Sequence, residues 1–137
     1  MVLYNNSPYQ QPSKCVAANQ QHVLTVGSNQ YGQLGIDSKD PQCDKLTEIN
    51  TLQPHHIIKM VACGDKHTYL VTDDNKLFAA GSNYFGQLAE KQVTKREKFK
   101  RVRSAALEGR KIRSIDCGSN FTVILTGKLL TSKTNNE

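Results

Sequence analysis

Histidine is the residue type best suited to chemistry at neutral pH, because imidazole serves both as a metal ligand and as a general base. The chain has 4 histidines, namely His22, His55, His56 and His67. A zinc site needs three or four ligands at suitable spacing, whereas the neighbours His55 and His56 would point to opposite faces of a strand. His67 lies in a segment that recurs later in the chain, and its expected role is to order a turn by hydrogen bonding. The sequence predicts no metal site.

Cysteines and carboxylates give no stronger sign of catalysis. The 4 cysteines stand at positions 15, 43, 63 and 117, and no two have the C-x-x-C spacing of a zinc or redox site. Cys63 and Cys117 are predicted to be reduced thiols inside apolar strands, where cysteine behaves as a small apolar residue. Asp73 and Asp74 are expected in a hairpin turn, and the sequence has neither a G-x-G-x-x-G nor a G-x-x-x-x-G-K-[ST] phosphate loop. The sequence therefore predicts a protein that is not an enzyme and binds no cofactor.

The most distinctive local feature is the basic segment Lys91–Arg103, which reads KQVTKREKFKRVR. Its candidate partner-binding residues are Lys95, Arg96, Lys98, Lys100, Arg101 and Arg103. The segment 54 residues earlier, 37–45 (DSKDPQCDK), is not basic, so the fold itself does not require this charge. Contact with an acidic protein, contact with a nucleic-acid backbone and a nuclear import signal all suit the segment. The alternative is a solvated loop between repeats, and Phe99 alone offers little for base stacking.

The composition limits the class of protein and of partner. The net charge of +6 favours acidic partners and gives a modest attraction to nucleic acid. Hydrophobic residues make up 37% of the 137 residues and tryptophan is absent, which is a thin supply for an independent core. No signal-peptide pattern opens the chain, and no apolar run approaches the ~20 residues that cross a bilayer. The expectation is a soluble intracellular protein of the cytoplasm or nucleus, without membrane contact.

Two pairs of segments reveal an internal repeat with a period of 54 residues. Residues 23–36 (VLTVGSNQYGQLGI) match residues 77–90 (LFAAGSNYFGQLAE). Residues 57–72 (IIKMVACGDKHTYLVT) match residues 111–126 (KIRSIDCGSNFTVILT) at the same offset. Because two independent segments give one period, chance similarity is a poor explanation.

Within one repeat the pattern predicts short strands separated by turns. Strands are expected at 57–63, 67–72 and 76–80, and a fourth, outer strand after the G-Q-L element. Gly32 and Gly86 follow an aromatic residue and are expected to have positive φ. A unit of ~50 residues with about four strands is typical of a propeller blade. The fold class is therefore all-β, a partial β-propeller. A two-helix solenoid is the alternative, but short apolar runs and frequent glycine disfavour it, and only 91–107 leaves room for a helical turn.

The repeated motifs resemble a known family. A G-S-N-x-aromatic-G-Q-L element, preceded by C-G-x-x-H/F-T-x-x-L-x-T, is similar to the regulator of chromosome condensation repeat. The resemblance covers roughly residues 14–130. Ala89 departs from the final glycine that Gly35 supplies, and Phe121 replaces the histidine present as His67. The resemblance implies a seven-bladed β-propeller and a range of functions: nucleotide exchange on the small GTPase Ran, chromatin binding, and interaction domains of ubiquitin ligases, ciliary proteins and kinases. No residues that would carry exchange activity can be matched.

The period divides the chain into unequal parts. Residues 1–13 form a polar N-terminal segment, 14–56 a partial blade, 57–110 a blade, 111–130 a truncated blade and 131–137 a polar tail. About two and a half repeats leave blade faces and strand edges to be covered. The polar tail favours a truncated product of a longer protein over self-assembly of three copies to complete a propeller, and over an open monomer.

The sequence thus predicts a non-catalytic protein–protein interaction module built from these repeats. The alternative is a regulator or guanine-nucleotide exchange factor of a Ran-like small GTPase, with chromatin or nucleic-acid contact through residues 91–103.

Overall fold

The computed structural model of the chain describes residues 2–4, 14–19 and 22–129, with only the backbone described for the first two ranges. Its regular structure is almost entirely antiparallel β-sheet, arranged in three sheets that follow one another along the chain. The predicted all-β fold is confirmed. In the part of the chain that the structure describes, the helical content is one 3₁₀ turn, Ala105–Leu107, inside the 91–107 region where the sequence left room for it.

The second sheet is a complete four-stranded unit in simple meander order. Its strands are β5 (Ile58–Cys63), β6 (His67–Thr72), β7 (Leu77–Ser82) and β8 (Lys95–Val102). The three inner strands match the predicted ones to within two residues at each end. The turn between β6 and β7 is tight because Asn75 takes a left-handed φ of 64°, which asparagine tolerates better than most residues.

The first sheet also has four strands in chain order. They are β1 (Val2–Tyr4), β2 (Lys14–Asn19), β3 (His22–Ser28) and β4 (Gln42–Glu48). The edge strand β1 comes from the segment 1–13, which the sequence interpretation had set apart from the repeats. The division of the chain at residues 13, 56, 110 and 130 stays a prediction.

The third sheet is described as a two-stranded hairpin. It consists of β9 (Arg110–Cys117) and β10 (Thr122–Lys128). These strands are the counterparts of β5 and β6, so the described part of the third repeat ends where a counterpart of β7 would begin.

Two apolar cores lie between the three sheets. Alternate residues of a strand point to opposite faces, so the second sheet contributes to both cores. Leu70 and Phe78 face the first sheet, where they pack with Val23 and Ile49. Tyr69, Val71, Leu77 and Ala79 face the third sheet and pack with Ile112. Because neighbouring sheets share each core, the stack is built face to face in the manner of propeller blades.

Candidate functional site

The G-S-N-x-x-G-Q-L loops are scaffold elements held by hydrogen bonds from their own side chains; among the described residues, Gln87 Nε2 is buried without a hydrogen-bond partner. In the second repeat, Asn83 Nδ2 donates to the carbonyls of Glu90 and Val93 at 2.8 and 2.7 Å, and its Oδ1 accepts from Leu88 N at 2.9 Å. Asn29 makes the equivalent bonds in the first repeat. Gly32 and Gly86 have φ of 76° and 77°, as the motif predicted. The two buried asparagines hold the loop shape, so they are not candidates for a ligand site.

Threonine and histidine side chains join one sheet to the next. Thr68 Oγ1 donates to the Gln33 carbonyl at 2.7 Å, and Thr122 Oγ1 makes the same bond to Gln87 at 3.0 Å. The buried ring of His67 lies 2.9 Å from Thr122 Oγ1 through Nε2. The histidine side chain therefore links two sheets, which the sequence interpretation did not foresee. The bond that closes its turn is a backbone bond, from Gly64 N to the His67 carbonyl at 2.9 Å, so a role of the side chain in ordering the turn stays a prediction.

The interpretation of the basic segment as a solvated loop is wrong, because residues 95–102 form the outer strand β8. Phe99 is 3% exposed in one core and Val102 is 5% exposed in the other. The apolar residues had to be buried on opposite faces for β8 to join the sheet, and this arrangement leaves most of the basic side chains in solvent.

Half of the candidate binding residues are engaged by acidic neighbours. The ion pairs are Arg96 with Glu90 at 2.6 Å, Lys95 with Glu97 at 2.7 Å and Lys98 with Asp37 at 3.0 Å. The pair with Lys95 lowers the pKa of Glu97 below its ordinary value. The other three candidates, Lys100, Arg101 and Arg103, are exposed, and their side chains have no hydrogen-bond or ion-pair partner among the described residues.

Two of these three residues, Arg101 and Arg103, line a cleft that was not predicted from the sequence. The cleft lies where the second sheet meets the third and has a volume of about 360 Å³. Its basic lining residues are Lys76, Arg101, Arg103 and Arg110. Arg110 stands outside the basic segment, at the start of β9, and the fold alone brings it to the others. The sequence signal was only that a charged residue stands two positions before the buried Ile112.

The acidic residues of this cleft are Asp74 and Glu108. Hydrogen bonds from Lys76 and then from Thr72 lower the pKa of Asp74 to about 2, so the carboxylate is charged at neutral pH. Lys76 Nζ lies 2.6 Å from Asp74 Oδ2. Since Lys76 is paired, the unmatched positive charge of the cleft comes from its arginines.

The first two sheets meet at an equivalent cleft of about 420 Å³ with different chemistry. It is lined by His22, Glu48, Asn50 and His56, and His22 is paired with Glu48 through Nδ1. His55 and His56 precede β5 in a loop with ring centroids 4.3 Å apart, so the expectation that they point to opposite faces of a strand is wrong. Burial and then the nearby His55 lower the pKa of His56, which disfavours the protonated ring.

Over residues 22–129 no three histidine, cysteine or acidic side chains gather closely enough to hold a metal ion. No helix within the described ranges has the length and apolar character needed to cross a bilayer. The intracellular location expected from the sequence stays a prediction.

The face-to-face stack of antiparallel sheets, with a threonine bond at each junction, defines the chain as part of a β-propeller. The regulator of chromosome condensation (RCC1) repeat matches residues 21–71 and 74–125, and a second description of this repeat matches residues 58–87. The chain belongs to the RCC1 repeat family. Its membership supports a protein-interaction role or a regulatory role like that of an exchange factor.

Curated relatives are much longer than this chain. The human X-linked retinitis pigmentosa GTPase regulator is 34% identical over 124 residues, which are 89% of this chain and 12% of the relative. The bovine secretion-regulating guanine nucleotide exchange factor is 34% identical over 117 residues, which are 82% of this chain and 24% of the relative. The chain therefore spans at most about a quarter of these proteins.

Solved structures show the same fold at lower identity. Human WBSCR16 superposes with a TM-score of 0.73 at 19% identity, covering 86% of this chain and 29% of that one. Yeast RCC1 (Prp20), solved bound to Kap60, gives a TM-score of 0.69 at 18% identity, covering 85% of this chain and 28% of that one.

Proposed function

We propose that the chain is a non-catalytic protein-interaction module that contacts an acidic partner protein through its basic outer strand. The observation that carries the proposal is the contrast between β8 and β4, the outer strands of two consecutive repeats. β8 has five basic residues and one acidic residue, whereas β4 has one basic and two acidic residues. Both strands complete their sheets, so the charge of β8 is not needed for the fold and is available for recognition.

The proposed contact residues, five on β8 and Arg103 directly after it, differ in availability. Lys95, Arg96 and Lys98 would have to exchange an internal ion pair for a partner carboxylate. Such exchanges between exposed pairs gain little. Lys100, Arg101 and Arg103 can pair without that exchange, so they should supply most of the energy.

Affinity capture from a cell extract tests this proposal. The immobilised full chain is compared with the triple variant K100Q/R101Q/R103Q and with K39Q/K45Q/K59Q, which loses the same charge elsewhere on the surface. We expect the bound acidic proteins identified by mass spectrometry to disappear with the first variant and to remain with the second. Retention of the same proteins by both variants would refute the proposed role of β8.

Regulation of a small GTPase is the second candidate function. It is supported by the names of two relatives, a GTPase regulator and a guanine nucleotide exchange factor, that are each 34% identical to this chain. The experiment is release of fluorescent GDP from a Ran-like GTPase mixed with the full chain. Faster release supports exchange activity, and an unchanged rate rejects it.

Contact with nucleic acid is less favoured. Phe99, the aromatic residue that the segment could offer for stacking, is 3% exposed. A contact through backbone phosphates alone would weaken steeply with salt, so DNA binding that disappears at moderate salt is the result that would revive this alternative.

Self-assembly is a further candidate, supported by the apolar face of the third sheet. Val123 and Leu125 are 57% and 60% exposed on β10. A sheet of a second copy would bury them as the third sheet buries Tyr69 and Val71. Light scattering tests this: a discrete trimer supports closure by assembly, and a monomer at all concentrations rejects it.

A further inference from the structure

The cleft at the junction of the second and third sheets carries more unmatched positive charge than the fold explains. We call it the arginine cleft and define it by Lys76, Arg101, Arg103 and Arg110. The three arginines are exposed, and within residues 22–129 no acidic side chain pairs with them. Like charges gathered in one cleft repel one another, which is a cost to folding unless a ligand offsets it.

The junction between the first and second sheets shows whether the fold itself requires this positive charge. Leu24 pairs with Glu48 as Phe78, 54 positions later, pairs with Arg101. Glu48 and Asn50 therefore occupy the places of Arg101 and Arg103.

The remaining two positions of the first cleft follow the same correspondence. His22 stands 54 positions before Lys76, and His56 stands 54 positions before Arg110. At these four positions the first cleft has one carboxylate, one amide and two histidines. The junction needs the cleft but not the arginines, so the arginines serve something other than the fold.

Guanidinium groups select planar anions. Arginine presents a rigid fork of donors that matches a carboxylate with two parallel hydrogen bonds, and it stays charged at all physiological pH values. Arg101 lies on β8 and Arg103 directly follows Val102, the last residue of that strand, while Arg110 approaches from the next sheet. Such a spread suits several separate carboxylates better than one compact anion.

The other lining residues favour an acidic peptide over a phosphate-rich ligand. Asp74 and Glu108 stand in the same cleft and repel a phosphate group, which carries about −1.5 to −2 charges, more strongly than a singly charged carboxylate. The apolar lining residues are Leu77, Val102, Leu107 and Leu129, with Leu129 45% exposed. Among the described residues that line the cleft, none is aromatic and could stack on a base. A peptide in which acidic side chains alternate with aliphatic ones would match this mixture of basic and apolar lining residues.

We propose that the arginine cleft binds an acidic peptide segment of a partner protein. The guanidinium groups of Arg101, Arg103 and Arg110 donate to Asp or Glu carboxylates, and interspersed aliphatic side chains contact Leu107 and Leu129. This inference rests on the proposed function as an interaction module and names the chemistry of the partner at one end of β8.

The experiment measures fluorescence anisotropy of a labelled peptide rich in Asp and Glu with interspersed leucines, titrated with the full chain. We expect saturable binding that the double variant R101Q/R110Q weakens at least about tenfold, since hydrogen bonds between charged groups are the strong ones. The control variant K39Q/K45Q loses the same charge on the first repeat and should bind within about twofold of the unmodified chain. Circular dichroism melting curves verify that all variants fold.

A transplant provides the converse test. The triple variant E48R/N50R/H56R installs arginines in the first cleft, and we expect a second peptide to bind per chain. Equal weakening by R101Q/R110Q and K39Q/K45Q would overturn the proposal in favour of unspecific attraction. Unchanged binding by R101Q/R110Q would remove the cleft from consideration.

Two further probes fix the ligand class. A peptide with Gln and Asn in place of the acids should not bind, and its binding would overturn the carboxylate assignment. Tighter binding of a phosphoserine peptide or of a DNA duplex would also overturn it. If the acidic peptide fails while the capture that depends on β8 persists, the cleft assignment falls and the proposed function stands; if both fail, both fall.

Discussion

The second and third sheets are built from consecutive copies of the same repeat but differ in what covers them. Tyr69 and Val71 of β6 are 0% and 1% exposed because the third sheet packs against them. Their counterparts 54 positions later, Val123 and Leu125 of β10, are 57% and 60% exposed. The strand positions are the same, so the neighbouring sheet, and not the repeat itself, makes a residue part of a core. Each repeat depends on the next for its stability.

The largest expected effect tests that dependence directly. Tyr69→Ala removes a fully buried ring and its hydroxyl bond to the Gln87 carbonyl at 2.9 Å. We expect it to lower the free energy of unfolding by about 3–5 kcal/mol. Val123→Ala, at the equivalent exposed position, should change it by less than about 0.5 kcal/mol. Urea titrations followed by circular dichroism measure both, and equal effects would show that the third sheet is covered in solution.

The second effect compares the loops that follow the two G-Q-L elements. Gly35 has a φ of 67°, and a Cβ there would lie 2.3 Å from the Phe99 ring of β8. Ala89 holds the equivalent position in the second repeat with a φ of 56°. Gly35→Ala should therefore destabilise the chain by about 1–3 kcal/mol through overpacking.

Ala89→Gly is the matched control for that loop. Ala89 has a left-handed backbone conformation, so replacing it with glycine relieves steric strain. Glycine also loses more conformational entropy on folding. Because the two effects oppose each other, we expect the free energy of unfolding to change by no more than about 1 kcal/mol. Thermal melting of both variants checks the comparison. A harmless Gly35→Ala would mean that β8 can withdraw from the first loop.

The hydrogen bonds between sheets give the third effect. Thr68→Val keeps the shape of the side chain but leaves the Gln33 carbonyl without the hydroxyl donor. The expected loss is about 1–2 kcal/mol, because a buried acceptor loses its partner. Thr122→Val removes the equivalent bond at the second junction. The Gln87 carbonyl keeps the Tyr69 hydroxyl as a donor there, but the contact between His67 Nε2 and Thr122 Oγ1 is lost as well, so we expect a similar effect, measured by chemical denaturation. A much smaller loss at Thr122 would indicate that the third sheet docks more loosely than the second.

The smallest effect is a pH dependence confined to the second repeat. Because the folded pKa of Asp74 is lowered to about 2 from 3.8, its contribution is complete above about pH 4 and is lost as the pH falls toward 2. The side chain is 44% exposed, so solvent screening limits the contribution to about 1 kcal/mol or less. Melting temperatures of the unmodified chain and of Asp74→Asn should converge in that range. Parallel curves from pH 2 to 5 would contradict the assignment.

The repeat period allowed the strands and the loop glycines to be predicted, because strand pairing and positive φ are imposed locally by residues such as Gly32 and Asn75. The basic segment was harder to interpret. Its many charged residues made the two apolar residues easy to overlook: Phe99 packs in one core and Val102 in the other, and together they fix β8 to the sheet. Their spacing of three is irregular for a strand, and a shift in register between β7 and β8 accommodates it.

The arginine cleft could not be predicted for a different reason. Arg101 and Arg110 are nine positions apart in the chain, and only the return of the chain into β9 brings them together. The 54-residue offset also aligns Arg101 with Thr47, whereas the sheet register places Glu48 there. A repeat alignment thus hides the most informative contrast between the two clefts.

The threonine bonds between sheets have a consequence for the order of assembly during synthesis. Thr68 binds a carbonyl 35 residues upstream, and Thr122 does so at the same separation. A ribosome delivers the acceptor loop before the donor strand in each case, and domains fold as they emerge from the N-terminal side. Each new sheet can therefore dock on a preceding sheet that has already been synthesised. Blades can be added from the N-terminal side before the last blade of the propeller is made.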